Sequence, residues 1–128
     1  FCMSPLAKEW LDKGLADLAT AQREMRVRKK PNYDAVCFQS QQAVEKLLKA
    51  KLVVLGRDVP RSHDLAHLLG SVTDREPLWE AWRTAMNELA SYAVEFRYPG
   101  ESADRDLAKR AVTIAKTACA EIAIRLGR

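Results

Sequence analysis

From Tyr33 to Leu55 the chain reads YDAVCFQSQQAVEKLLKAKLVVL, with neither proline nor glycine inside and a breaker at each side, Pro31 before and Gly56 after. Its apolar residues recur at intervals of three and four rather than at alternate positions, which is the signature of a helix. Turned by about 100° per residue, Val36, Ala43, Leu47, Ala50 and Val54 share one side, widened by Val44, Leu48 and Leu55. Gln42, Glu45 and Lys49 gather on the far side, with Lys46 nearer its edge. A helix this long with an apolar side must bury it, and strand-like alternation is found nowhere in the chain to supply a sheet. The partners must therefore be other helices.

The remaining punctuation supplies them. Ser4-Pro5 is a hydroxyl cap followed by proline at the first helical position. Leu11, Leu15, Leu18 and Met25 follow at helical spacing, with Trp10 and Ala21 alongside, and the helix is expected to run to about Lys30, before Pro31. Gly56 can close the second helix in the left-handed conformation. GRDVPR reads as a loop, and Ser62 as the cap of a short third helix in SHDLAHLL. Pro77 starts a fourth helix over 77–97, carrying Trp79, Trp82, Met86, Leu89, Ala93 and Phe96, and YPG ends it. Ser102 caps a fifth, with Leu107, Ala111, Ile114, Ala118 and Ile122 on one side. Short links force neighbouring helices antiparallel. The expected fold is all-α, an up-and-down helical bundle of four long helices plus one short helix, in a single domain over 1–128. The three tryptophans read as core or interface anchors.

Composition narrows the function classes. A chain of 128 residues buries enough surface to fold without a metal or a disulfide. The three cysteines, Cys2, Cys37 and Cys119, have neither disulfide nor zinc spacing, and Cys37 and Cys119 sit among apolar residues as small core hydrophobes. No metal, cofactor or catalytic residue is assigned, and the reducing cytoplasm is the expected compartment. No membrane span and no secretory signal are seen. Phe1-Cys2 stand ahead of Met3, the expected natural start, and read as added residues. The net charge of +4 falls short of the bias of a dedicated nucleic-acid binder. Its densest run, REMRVRKK at 23–30, reads as cations closing the first helix against its dipole, since no aromatic residue interleaves with them.

The polar strip of the second helix is ambiguous. On geometry alone it is the wet side of an amphipathic helix, in which Glu45 can pair with Lys49 one turn on. Lys51 falls among the apolar positions and would have to snorkel outward. Phe38 and Val53 lie on the polar side, which suggests that another surface covers part of it.

These residues resemble the HEPN family, the higher eukaryotes and prokaryotes nucleotide-binding domains. The resemblance rests on Tyr33-Asp34, Gln41-Gln42-Ala43, Glu45-Lys46, Lys49-Ala50, Gly56 and His63-Asp64-Leu65. WLDKGLADLATAQ at 10–22 and FRYP at 96–99 fit the family's first and fourth helices. It implies a compact bundle, usually a homodimer, in a prokaryotic cytoplasm. It also implies one of two roles: companion subunit of a small nucleotidyltransferase in a toxin–antitoxin-like pair, or ribonuclease. The family's ribonucleases share an Arg-x(4–6)-His motif near the last helix, and here that helix has no histidine. Arg57 to His63 and Arg61 to His67 satisfy the spacing only as strings in or just after the loop that follows the second helix. The favoured reading is therefore a non-catalytic nucleotide- or substrate-binding module. A divergent ribonuclease using His63, or a purely structural dimerisation unit, is the alternative, and RNA is the less favoured ligand. The candidate ligand residues are Gln42, Glu45, Lys46, Lys49, His63 and Arg97. In this reading Lys46, Lys49 and Arg97 supply positive charge, the start of the third helix supplies free N–H groups, and Glu45 orients the lysines. The competing account is a structural ion-pair network.

Overall fold

The computed structural model describes residues 3–127, so Phe1-Cys2 lie outside the described residues. Five α-helices follow one another: α1 (Pro5–Met25), α2 (Tyr33–Val54), α3 (Leu65–Gly70), α4 (Arg83–Glu95) and α5 (Arg105–Arg125). A 3-10 turn, Pro77–Trp82, leads into α4, and there is no strand among the described residues. The architecture is the expected all-helical bundle of four long helices and one short one. α2 is its centre and packs against each of the other four. Leu47 and Leu48 of α2 meet Leu11 of α1, Leu68 of α3, Leu89 of α4 and Ile122 of α5 in one continuous buried core. Cys37 and Cys119 belong to it, and burial pushes their thiols up to about 11 and about 12.

The ends of the helices differ from expectation where a carboxylate outcompetes a hydroxyl. Asp64, not Ser62, caps α3: its Oδ1 accepts the N–H groups of Ala66 and His67, while Ser62 Oγ accepts the N–H of Asp64 itself. Asp104, not Ser102, caps α5 by accepting the N–H of Leu107 at 2.8 Å. α1 stops at Met25, so only Arg23 of the basic run lies in its last turn, and Arg26 to Lys30 form the link to α2. The fourth segment begins as a 3-10 turn over Pro77–Trp82 rather than as α-helix. A 3-10 turn eclipses residues three apart, which stacks Trp79 on Trp82 at 5.2 Å while Trp79 is buried. Gly56, at φ +71°, closes α2 as expected.

Lys51 does not snorkel outward. It is buried, with Nζ 2.8 Å from Glu76 Oε2 and 5.5 Å from the Trp79 ring centre. Arg125 reaches the same carboxylate from α5. Burial pushes the Glu76 carboxyl upward, but the hydrogen bonds from Lys51 and Arg125 outweigh it and hold the group below its usual value. Tertiary packing encloses this side of α2 as well.

α1 and α2 come into close contact at Gly14. A Cβ there would stand 2.3 Å from Leu47 Cδ1 and 3.0 Å from the carbonyl oxygen of Ala43. Leu47 has no exposed surface, so it has nowhere to move. Helix propensity favours alanine over glycine by about 1 kcal/mol, whereas overpacking a filled core costs about 1–3 kcal/mol. Gly14→Ala is expected to lower stability by about 1 kcal/mol net in urea denaturation. A gain in stability would show that the two helices can separate freely.

Candidate functional site

A cleft of about 590 Å³ opens between α2, the start of α3 and the end of α4. Phe38, Gln41 and Gln42 line it from α2, and His63 and Asp64 from the approach to α3. Ala90, Ala93, Val94 and Arg97 line it from α4 and the residues just after. The antiparallel path of α2 and α4 creates this juxtaposition. Asp34, in the first turn of α2, accepts the N–H of Ala103 beyond the end of α4 at 2.7 Å. The start of α2 and the end of α4 therefore lie at the same end of the bundle, and Arg97 comes down beside Phe38.

Beneath His63 lies Glu45, with only 3% of its surface exposed. A carboxylate so deep needs partners, because an unpaired buried charge is costly, and it has three. Lys49 Nζ donates to Oε2 at 3.0 Å, and Gln41 Nε2 donates to Oε1 at 3.1 Å. His63 Nδ1 stands 3.1 Å from both oxygens. Ionised, the carboxylate only accepts, so the hydrogen of that last bond sits on Nδ1, leaving Nε2 to the exposed side of the ring. Gln41 also donates to the backbone carbonyl of His63 at 3.2 Å and accepts from Gln42 Nε2 at 2.9 Å. Both the ring and the backbone of His63 are thus held from α2. Lys49 completes the arrangement by covering Trp10 of α1, 5.4 Å from the ring centre.

The structure divides the six candidate residues into two groups. Gln42, His63 and Arg97 line the cleft, and Glu45 lies directly under it. Lys46 and Lys49 do not line it. Lys46 turns to the α1 side and pairs with Asp17, and Lys49 is buried on Glu45. The wet side expected of α2 is in fact a covered one, because α1 and the approach to α3 close over Glu45 and Lys49. The N–H groups expected to be free at the start of α3 are already taken by Asp64. Gln41, Asp64 and Val94 are cleft residues that sequence reasoning left out. Gln41 carried a signal, standing one helical turn before Glu45. Arg57 lies elsewhere, bonded to Asp74 and to the carbonyl of Ser71, so the Arg57–His63 string brings no arginine into the cleft. No group of three metal-ligating side chains occurs among the described residues, nor is any helix among them long and apolar enough to cross a membrane.

An all-helical up-and-down bundle with a cleft of mixed polar and apolar lining built on its central helix defines the class. Its sequence gives the family: the HEPN domain model matches residues 7–124, and the chain belongs to that family. The bundle is similar to the crystal structure of TT1696 from Thermus thermophilus, with a TM-score of 0.79 and 24% identity over 93% of this chain and 97% of that one. At that identity the similarity concerns the fold. No curated protein matches.

Removing one member of a buried ion pair strands the other and costs about 3–5 kcal/mol. Lys49→Ala is therefore expected to lower the Tm sharply, and Glu45→Gln combined with Lys49→Met to restore much of the loss. Thermal denaturation of the three proteins checks this, and a Lys49→Ala variant as stable as its parent would show that the pair is dispensable.

Proposed function

We propose that this protein is a non-catalytic binding subunit, the companion of a small nucleotidyltransferase, and that its cleft holds a nucleotide through its phosphate. The observation that carries this reading is the setting of Arg97. It is exposed at the rim of a cleft of about 590 Å³, within the size range of small-molecule sites, and has no carboxylate partner among the described residues. A free guanidinium beside apolar Phe38 and Val94 offers a phosphate grip next to a surface that a base can cover. The nucleotidyltransferase signature of a Gly-Ser pair followed by paired aspartates on strands is not formed among the described residues, where Gly70-Ser71 closes α3 and Asp104 and Asp106 open α5, so catalysis of that kind is assigned to another subunit.

One observation favours a second reading. A buried carboxylate holding Nδ1 of an exposed histidine, in a cleft that also contains an arginine, has the parts of a general acid–base pair with a phosphate-stabilising cation. That would be a divergent ribonuclease centred on His63. Calorimetric titration with ATP, run beside incubation with unstructured RNA, separates the two. The binding reading expects ATP affinity to fall about tenfold in Arg97→Ala, the loss of one charge-assisted contact, with unchanged Tm and no RNA cleavage. Cleavage that disappears in His63→Ala would replace it with the ribonuclease.

The expected homodimer is part of the same proposal. Leu78 and Ile124 are 87% and 63% exposed. They lie on segments tied together by the Trp79–Glu121 hydrogen bond and the Arg125–Glu76 pair. Two exposed aliphatic side chains on segments joined in this way support a self-complementary contact. Sedimentation equilibrium is expected to give twice the chain mass of 14.4 kDa for the parent and a monomer for Ile124→Asp. A monomeric parent would remove the dimer from the proposal.

A further inference from the structure

The cleft is chemically lopsided, and the asymmetry bears on which nucleotide it takes and which way round. At the Phe38 end stands its one formally cationic lining residue, Arg97. At the His63 end stand two side-chain oxygens that make no hydrogen bond among the described residues. Asp64 uses Oδ1 to cap α3, while Oδ2 makes no hydrogen bond within the described residues. Gln42 directs one amide hydrogen to Gln41, which leaves its own Oε1 and its second N–H without a partner among the described residues. The nearby Glu45 charge is balanced by Lys49, so Asp64 is the one carboxylate among the lining residues, with Arg83 of α4 near enough to offset part of its charge.

A phosphate placed at this end would meet a carboxylate and few free donors, whereas at the other end it meets a free guanidinium. The two ends, Arg97 and the Gln42–Asp64 pair, are set apart along α2 by the rise from Phe38 to Gln42, about 6 Å at 1.5 Å per residue. Between them lie the apolar side chains of Phe38, Ala90 and Val94, a surface suited to a flat ring.

We propose that the cleft is selective for a 5′-nucleotide whose base carries an exocyclic amine. The phosphate lies on Arg97, the base covers Phe38 and Val94, and the amine donates to Asp64 Oδ2 and Gln42 Oε1. Asp64 is then the specificity-determining residue. The proposal rests on the nucleotide-binding reading above and adds the orientation of the ligand and the chemistry of its base.

The test compares AMP with purine riboside 5′-monophosphate, which differs by the amine alone, in calorimetric titrations of the full chain. AMP is expected to bind about tenfold more tightly, as a hydrogen bond to a charged acceptor warrants. Asp64→Asn keeps the helix cap, since asparagine caps as well as aspartate does, but its remaining group is an N–H donor. In this variant the preference for AMP is expected to vanish while the weaker ligand binds as before. Arg97→Ala is expected to weaken both ligands by the same factor. Equal affinity of the parent for the two nucleotides, or a preference unchanged in Asp64→Asn, would overturn the proposal and leave the nucleotide-binding reading standing. Failure of both nucleotides to bind would overturn the two together.

Discussion

The structure turns on one carboxylate. Glu45 sits in the middle of the central helix with almost no exposed surface, and the local structure is arranged to satisfy it. Lys49 neutralises it from one turn along α2, and Trp10 of α1 lies against the lysine. Gln41 bonds it from one turn back and clamps the carbonyl of His63 with the same amide group. His63 approaches from outside and is fixed by its ring. The loop that returns the chain from Gly56 to α3 is thereby attached to α2 at a defined height, and that attachment makes one wall of the cleft. α4 makes the other because the apolar sides of α2 and α4 pack antiparallel. Stability and site geometry come from the same few atoms.

The fold was legible because its signals are periodic and redundant. Pro5, Pro31, Gly56 and Pro77 break the chain, and between them the apolar residues repeat at helical spacing. Membership in the HEPN family was legible from α2 and the following His63-Asp64-Leu65. Cap positions were less so, because Ser62 and Asp64, or Ser102 and Asp104, are rival caps two residues apart. The carboxylate prevails in both cases, where its charge is opposed to the positive end of the helix dipole.

The candidate site was only half legible, for a reason specific to α2. A helical projection separates an apolar side from a polar one and assigns the polar side to water. That inference holds for a helix with neighbours on one side. α2 has neighbours on several, so Glu45, Lys49 and Lys51 are enclosed and must find partners within the protein. Periodicity carries no information about partners as distant in sequence as Glu76 is from Lys51 or Asp17 from Lys46. Phe38 and Val53, out of place on the polar side, were the one sign that this side was covered. Val53 is half-buried, and Phe38 remains exposed at the mouth of the cleft.

The shared use of Glu45 has a consequence for how such a protein can diversify. Glu45 and Lys49 form a buried pair whose members cannot be exchanged one at a time without stranding a charge, with Gln41 and His63 bonded around it. Divergence among descendants of this chain would have to pass through simultaneous replacements there, or leave the pair untouched. The rim is under no such constraint. Phe38, Val94 and Arg97 are exposed and their side chains make no hydrogen bond or ion pair among the described residues, so drift at those positions costs folding less than drift at Glu45 and is felt chiefly by whatever occupies the cleft. The architecture thus separates an inflexible foundation from a freely variable lip, and new ligand preferences can arise at the lip without the bundle being rebuilt.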